Sequence, residues 1–136
     1  MQIQVTDDIC ENIAALAAKY GLKLVLLFGS QARGETHEES DVDVAVLGER
    51  LLTEGEMITI NYECTLIFRT NDVDTTNLSC ASPLLQRRII DEAEVLYDKT
   101  GHEYSAFESA AIQRYAEAGP LYAITREKNK AFLETL

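Results

Sequence analysis

The sequence lacks both a long hydrophobic run and a signal-like start. Hydrophobic residues make up 46% of its 136 positions, but no stretch approaches the ~20 apolar residues that a membrane-spanning helix needs. Residues 1–8 contain two acids and neither Lys nor Arg, so they do not show the pattern of a secretory signal. These absences lead us to expect a globular, cytoplasmic chain without a membrane segment, and its length suits one compact core.

Cysteine and histidine are also scarce. Cys10, Cys64 and Cys80 are odd in number and far apart, with neither C-x-x-C spacing nor a disulfide framework, so we expect reduced, packed thiols. His37 and His102 are isolated in the sequence, which argues against a zinc site. His37 lies between two predicted strands, where it could reach a ligand, although a solvated loop side chain is the commoner case.

Positively charged residues are also few. The chain has 12 Lys plus Arg against 23 Asp plus Glu, which gives a formal net charge of −11. A nucleic-acid backbone would be repelled over most of such a surface, so template-directed polymerisation and direct nucleic-acid binding are disfavoured. The same charge would attract a basic protein partner, although it is also common as a plain aid to solubility.

A glycine-serine turn is the first informative feature that is present. The apolar run 23–28 is rich in β-formers and predicts a buried strand, and Gly29 and Ser30 follow it directly. Glycine lets the backbone approach a ligand closely, and the free N–H groups of a helix start favour anions such as phosphate. This pattern predicts a turn that binds a polyphosphate.

Two carboxylates follow this turn after ten further residues. Asp41 and Asp43 begin the run 41–47, in which acid and apolar side chains alternate at first as in a strand. Side chains at i and i+2 share one face of a strand, so both carboxylates point the same way while Val42 and Val44 face the core. Two close carboxylates repel each other unless a cation lies between them, and hard oxygen ligands suit Mg²⁺. The pair predicts a metal site, with a solvated acidic strand edge as the alternative.

The turn and the acid pair together resemble a known signature. Residues 27–34, LFGSQARG, and residues 40–46, SDVDVAV, resemble the signature of the minimal nucleotidyltransferases of the DNA polymerase β superfamily, with a looser likeness over residues 23–98. The resemblance implies that the glycine-serine pair holds the β- and γ-phosphates of a nucleoside triphosphate. It also implies that the two aspartates hold Mg²⁺.

The resemblance further implies a third carboxylate, on a later strand beside the first pair. Asp74, within residues 71–78, is the best candidate, and Asp72 is its rival. Many relatives read V-D-L-V-D-L here, so this sequence keeps the acid but departs at Thr75 and Asn77. A carboxylate at this place would complete one metal site and could take the proton of an acceptor hydroxyl. Solvated turn acids are the alternative for both aspartates.

One basic residue lies close to the turn. Arg33 comes three residues after Ser30, in a predicted helical turn. It could contact a phosphate, or it could pair with Glu35 or Glu38 on the surface. The first interpretation makes Arg33 a candidate nucleotide-binding residue.

The other helices and strands can be placed coarsely. Thr6 is a good N-cap for a helix that Gly21 ends. The apolar positions of residues 55–69 fit both strand alternation and one helical stripe, and the resemblance implies a helix there. Ser82-Pro83 predicts the start of the next helix, and residues 95–98 predict a short final strand.

The C-terminal region is the second informative part of the sequence. It predicts two helices, at about 103–118 and 121–136, separated by Gly119-Pro120. Their apolar residues exceed what two terminal helices need for packing on a small sheet, so some could face a partner. Within the resemblance, chains with such a tail are often antitoxins that pair with a HEPN-domain ribonuclease toxin and modify a tyrosine of that toxin with AMP.

The sequence therefore predicts an α/β (α+β) chain with a polymerase β-like nucleotidyltransferase core, a mixed sheet flanked by helices. Residues 1–100 would form this domain, and residues 101–136 a helical extension packed on the domain, on a partner, or on both. By resemblance, the chain is a Mg²⁺-dependent protein adenylyltransferase that uses ATP and neutralises a HEPN-domain toxin. The alternatives are an antitoxin that acts by binding alone, a nucleotidyltransferase for a small molecule such as an aminoglycoside, and a structural metal-binding module.

Overall fold

The computed structural model describes the backbone of residues 4–29 and 42–134, with side chains up to residue 119. The predicted site residues Ser30, Arg33 and Asp41 lie outside the described residues. The four strands of the described part form one sheet in the order β3-β2-β1-β4. These strands are β1 (Leu22–Phe28), β2 (Val42–Gly48), β3 (Val73–Asn77) and β4 (Glu94–Asp98).

The sheet is mixed in strand direction. Strand β1 runs antiparallel to both β2 and β4, whereas β2 and β3 run parallel to each other. Parallel neighbours need a crossover connection, which is usually helical. Here the connection is the helix Glu54–Phe68. The mixed sheet flanked by helices confirms the predicted fold class.

The first three helices of the described part begin and end close to the predicted positions, whereas the fourth is longer than predicted. They are α1 (Asp7–Tyr20), α2 (Glu54–Phe68), α3 (Pro83–Glu92) and α4 (Glu103–Glu134), with a short 3-10 helix at Leu78–Cys80. Thr6 Oγ1 accepts a hydrogen bond from the N–H of Ile9 at 3.3 Å, and Gly21 ends α1 with a φ of 65°. Ser82 Oγ accepts from the N–H of Leu85 at 3.1 Å and caps α3 in the same way.

The ambiguous segment 55–69 forms a helix, α2, as the resemblance implied. Thr53 Oγ1 accepts from the N–H of Glu56 at 3.1 Å, and Glu56 Oε1 accepts from the N–H of Thr53 at 3.0 Å, which is a capping box. The buried residues of the helix recur at every fourth position: Ile60, Cys64 and Phe68. Ile60 and Cys64 belong to the helical stripe that the sequence offered as one of two interpretations, and its other members, Met57 and Ile67, are half-buried against the same apolar cluster.

Apolar layers cover both faces of the sheet. Helices α1 and α2 pack on one face, and the 3-10 helix, α3 and α4 pack on the other. Along β2, Val42, Val44 and Val46 face the first layer, whereas Ala45 and Leu47 face the second. Strand β1 is buried on both faces too, which explains its continuous apolar run. The sheet thus divides the expected core into two layers.

The C-terminal region differs from the prediction of two helices. Helix α4 continues from Glu103 to Glu134 through Gly119-Pro120, so the predicted break was wrong. Proline removes one helical hydrogen bond and disfavours the α conformation of the preceding residue, in part by contact with its Cβ. Residue 119 is a glycine without a Cβ, and open space surrounds it. A pair that is typical of a helix break is therefore tolerated inside a long helix.

The first half of α4 is attached to α3 by apolar and polar contacts. Phe107 and Ala111 are buried in the second layer. Arg114 Nε donates to Gln86 Oε1 at 2.8 Å, and Tyr104 Oη donates to the carbonyl of Ile90 at 2.9 Å. The division of the chain at residue 100 stays a prediction. Although α4 has 32 residues, neither it nor any other helix within the described ranges is apolar enough to cross a membrane.

Asp98, the last residue of β4, caps the start of α4. Asp98 Oδ1 accepts from the N–H groups of Gly101 and Glu103 at 2.9 and 3.0 Å, and its Oδ2 accepts from the N–H of Tyr104 at 3.0 Å. Desolvation raises the pKa of the Asp98 carboxyl, but these backbone donors outweigh it and hold the pKa below its ordinary value.

We expect Asp98→Ala to lower the free energy of unfolding by about 1–2 kcal/mol, because the N–H groups at the start of α4 lose their acceptor. Since the folded-state pKa is depressed, the contribution is present above the unfolded-state pKa and is lost as pH falls through the folded-state pKa. Urea titrations at neutral and acidic pH measure this difference. A difference that persists in acid, or an equal loss in the surface variant Asp91→Ala, would contradict the role of Asp98.

The three cysteines are free thiols that differ in burial. Cys64 is buried, Cys10 is half-buried and Cys80 is exposed. The expectation of packed thiols is therefore correct for Cys64 and wrong for Cys80, which lies in the 3-10 helix on the surface. Burial, helped by the charge of Glu63, raises the pKa of the Cys64 thiol to about 12.

Iodoacetamide at mildly alkaline pH should label Cys80 readily and leave Cys64 unmodified, because only the thiolate reacts and the Cys64 thiol stays protonated and inaccessible. Peptide mass spectrometry of the native and the urea-unfolded protein measures the labelling. In urea, both cysteines should react at similar rates. Native labelling of Cys64 as fast as that of Cys80 would show that the first layer is not packed as described.

Candidate active site

Strand pairing places two of the predicted acids side by side. In the parallel ladder between β2 and β3, Asp43 is paired with Asp74. Paired residues on neighbouring strands point to the same face, and such strands lie about 4.8 Å apart. Asp43 is half-buried and Asp74 is exposed. The two carboxylates are therefore neighbours with access to solvent.

The acid pair lies at one end of the sheet, on the face that α3 and α4 cover. Asp43 alternates along β2 with Ala45 and Leu47, whose side chains pack in the second layer. Each acid is the second residue of its strand. At this end β1 finishes with Phe28, which is paired with Asp43. The turn that follows β1 and the starts of β2 and β3 therefore meet here.

Gly29 is in direct contact with one of these carboxylates. Its φ of 74° lies in the left-handed region, which favours glycine. A Cβ at this position would overlap Asp43 Oδ2 and lie 3.1 Å from Asp43 Cγ. Residue 29 must therefore lack a side chain if the Asp43 carboxylate is to keep its place, and the backbone at the turn comes as close to the acid as the sequence predicted.

The strand register distinguishes Asp74 from its rival Asp72. Asp72 precedes β3, and its carbonyl accepts from the N–H of Val42 at 3.0 Å, so its backbone is part of the link between the two strands. Its side chain is exposed, as is that of Asp74. The residue paired with Asp43 is Asp74, and this favours Asp74 as the third acid of the site.

Asp43 and Asp74 fit a divalent cation in their chemistry. Both supply hard carboxylate oxygens from adjacent positions on one face, and two such charges at this spacing repel each other unless a cation neutralises them. Among the side chains that the structure describes, those of residues 4–29 and 42–119, no group of three metal-binding residues is found. Asp41, the remaining predicted ligand, lies outside that part of the chain, as do Ser30 and Arg33.

Asn61 is a polar residue near the site that the sequence did not single out. It lies on α2, and its Nδ2 donates to the carbonyl of Val73 at 2.9 Å and to Thr75 Oγ1 at 2.8 Å. These two residues flank Asp74. One signal was available in the sequence: Thr75 places a hydroxyl directly after Asp74.

Several known proteins are similar to this chain in sequence. The protein named Putative protein adenylyltransferase MJ0435, from Methanocaldococcus jannaschii, is 33% identical over 90 residues, which is 64% of this chain and 92% of the relative. Protein adenylyltransferase MntA of Aphanizomenon flos-aquae is 26% identical over 122 residues, covering 83% of this chain and 81% of that protein.

Solved structures share the fold. A chain in a crystal structure of a toxin–antitoxin with AMP-PNP is 26% identical and superposes with a TM-score of 0.74, covering 87% of this chain and 96% of that one. A chain in a complex of the tri-AMPylated Shewanella oneidensis HEPN toxin with its MNT antitoxin has a TM-score of 0.70 at 23% identity, with 88% and 94% covered. The second likeness shows the fold alone.

The part of the chain that matches a known family contains the four strands described above. The model of the family described as polymerase beta, nucleotidyltransferase matches residues 11–102. This range includes the four strands, Gly29 and the paired acids, and it stops just before α4. With its mixed sheet and its acid pair beside a glycine turn, the chain belongs to the polymerase beta nucleotidyltransferase family.

Proposed function

We propose that this chain is a Mg²⁺-dependent protein adenylyltransferase that transfers AMP from ATP to a tyrosine of a HEPN-domain toxin in the cytoplasm, and thereby acts as the antitoxin. The observation that carries the proposal is the pairing of Asp43 with Asp74 beside Gly29. The names of the sequence relatives and the bound AMP-PNP in one structural neighbour support the transfer of an adenylyl group.

The acids would hold the metal of the reaction. Asp43 and Asp74 supply two carboxylates on one face, and Asp41, two residues before Asp43, is the remaining expected ligand. Mg²⁺ bound here would stabilise the negative charge that builds up on the α-phosphate during attack. Asp74 would also accept the proton of the attacking tyrosine hydroxyl, because it is the most exposed of the described site groups and can reach an incoming acceptor.

The glycine turn would bind the leaving group. At Gly29 the backbone is free of a side chain and lies against Asp43, so a triphosphate can approach the metal ligands from this side. Ser30 would add a hydroxyl donor to the β- and γ-phosphates, and Arg33 a positive charge. Pyrophosphate would then leave on the side of the turn while AMP stays joined to the acceptor oxygen.

The toxin partner is supported by charge and by the C-terminal helix. A net charge of −11 favours a partner with a basic surface. Helix α4 extends to Glu134, well beyond the family match at residue 102, and so adds surface that the nucleotidyltransferase core does not require. A structural neighbour at 26% identity comes from a toxin–antitoxin structure with AMP-PNP, which supports a toxin partner.

Asp43→Asn and Asp74→Asn should each reduce AMP transfer by at least about 100-fold, because metal stabilisation of the transition state is worth several kcal/mol and each ~1.4 kcal/mol is a factor of ten. The measurement is the intact mass of the HEPN-domain partner after incubation with ATP and Mg²⁺. Asp91→Asn, a surface acid paired with Arg87, is the matched control. Undiminished transfer by a folded Asp43→Asn variant would reject the site, and a loss in Asp72→Asn alone would make Asp72 the third ligand.

Gly29→Ala should abolish transfer, whereas Gly101→Ala should not. Both glycines have positive φ, at 74° and 83°, so both substitutions carry a similar backbone strain of about 1–3 kcal/mol. Only the Cβ at residue 29 meets the Asp43 carboxylate, since nothing lies within 4 Å of a Cβ at residue 101. Transfer rates and thermal unfolding of both variants make the comparison. Equal rates in the two variants would show that the close approach of the turn to Asp43 is not needed.

A further inference from the structure

The strand that carries Asp74 is short and lies at the edge of the sheet. β3 has five residues and, within the described part of the chain, pairs only with β2. Backbone groups point alternately to the two sides of a strand. Because the carbonyl of Asp72 accepts from Val42 on the β2 side, the carbonyl of Val73 faces the open edge. A carbonyl at the open edge helps to hold its strand in place only when another group donates a hydrogen bond to it.

Asn61 binds the strand at this open edge. Its Nδ2 donates one hydrogen to the Val73 carbonyl at 2.9 Å and the other to Thr75 Oγ1 at 2.8 Å. A carbonyl oxygen can only accept, so the Val73 contact requires the amide nitrogen of Asn61 at this place. Both donor hydrogens are used, and both contacts go to the immediate neighbours of Asp74. The side chain therefore holds the strand on either side of the acid.

The Asn61 side chain reaches this edge from the face of the sheet that α2 covers, which is opposite to the face of the acid pair. Thr75 and Val73 point toward α2, since Val73 packs against the first layer, and Asp74 between them points the other way. Asn61 therefore does not belong to the set of groups that could touch a metal or a substrate. It can influence the reaction only through the position of β3.

We propose that Asn61 is a positioning residue that keeps Asp74 in register beside Asp43. The proposal rests on the proposed function, because it matters to catalysis only if these two acids share a cation. The hydroxyl of Thr75 is consistent with it, because it accepts the second donor hydrogen of Asn61, whereas an apolar side chain there would leave that hydrogen without an acceptor. Asn61 and Thr75 thus form a directional polar contact between α2 and β3.

The test compares Asn61→Leu, which keeps the size of the side chain and loses both donors, with the wild-type protein. In the metal-free protein, amide hydrogens of β3 should exchange faster in the variant while those of β1 change little. The Mg²⁺ concentration for half-maximal AMP transfer should rise by about tenfold, as for other groups that orient metal ligands. At saturating Mg²⁺ the rate should return to within about twofold of wild type, since the metal itself then holds the acids together.

Two control variants separate positioning from general destabilisation. Thr59→Val removes a hydroxyl from the same helix, but that hydroxyl donates to the carbonyl of Gly55 within α2 and does not reach β3. Ile13→Val weakens the first layer from α1. Both should keep the wild-type Mg²⁺ dependence, even if Ile13→Val unfolds at a lower urea concentration.

The partner residue provides a further check. Thr75→Ser keeps the hydroxyl and should behave as wild type, whereas Thr75→Val should shift the Mg²⁺ dependence in the same direction as Asn61→Leu. Because both changes break one shared contact, their effects should not add in the double variant. Additive effects would mean that the Asn61–Thr75 contact is not the source of the shift.

The outcomes distinguish this proposal from the proposed function. If Asn61→Leu shows wild-type Mg²⁺ dependence while the wild-type protein transfers AMP, the positioning role is wrong and the enzyme assignment stands. Faster exchange in β3 without a shift in Mg²⁺ dependence would likewise overturn it, since Asn61 would then be only structural. If the wild-type protein transfers no AMP at any Mg²⁺ concentration, the proposed function itself fails.

Discussion

The parallel pairing of β3 with β2 is the interaction on which the site depends. Asp43 and Asp74 are far apart in sequence, and no local contact brings them together. Only the ladder places them opposite each other. A slip of one residue would turn Asp74 to the other face of the sheet, because side chains alternate along a strand. The contacts that maintain the register, among them the hydrogen bond from the N–H of Val42 to the Asp72 carbonyl, therefore maintain the acid pair of the proposed site as well.

Burial of apolar side chains decides which face the acids occupy. Val42, Val44 and Val46 are fully buried in the first layer. Both faces of the sheet are covered, so turning β2 over would move these valines into the second layer and would place the Asp43 carboxylate at a fully buried position of the first layer, at a cost of several kcal/mol. Repulsion between two solvent-accessible carboxylates is smaller than this at surface dielectric values and is relieved by a cation. The apolar pattern therefore holds Asp43 on the face opposite the valines, even though a second carboxylate lies beside it.

Local signals in the sequence predicted most of the helices and strands. Thr6, Gly21 and Ser82 mark helix ends through short-range hydrogen bonds or a positive φ, and these effects do not depend on the rest of the fold. The segment 55–69 was ambiguous because its apolar positions fit both strand alternation and one helical stripe, and the resemblance alone favoured a helix. The capping box at Thr53 and Glu56 is a local signal for this helix that the prediction did not use.

Predictions from the sequence were wrong where a residue's structure depends on its tertiary surroundings rather than on local preference. Gly119-Pro120 is typical of a break, yet α4 passes through it. Cys80 was expected to be packed and is exposed. Asn61 gave no signal of its own because its hydrogen-bond partners lie on another element, and its contacts with Val73 and Thr75 exist only once α2 lies over β3.

By itself, the sequence determined the kind of chemistry: a glycine turn after a buried strand, an acid pair at alternating positions of the next strand, and the family to which such a signature belongs. These are short-range patterns, and they persist whatever the distant parts of the chain do. Only the tertiary structure distinguished the two later acids by their position. Asp72 and Asp74 are two residues apart and share the alternation of one strand, so periodicity cannot separate them. The register of the ladder between β2 and β3 does separate the two acids, because it pairs Asp74 with Asp43.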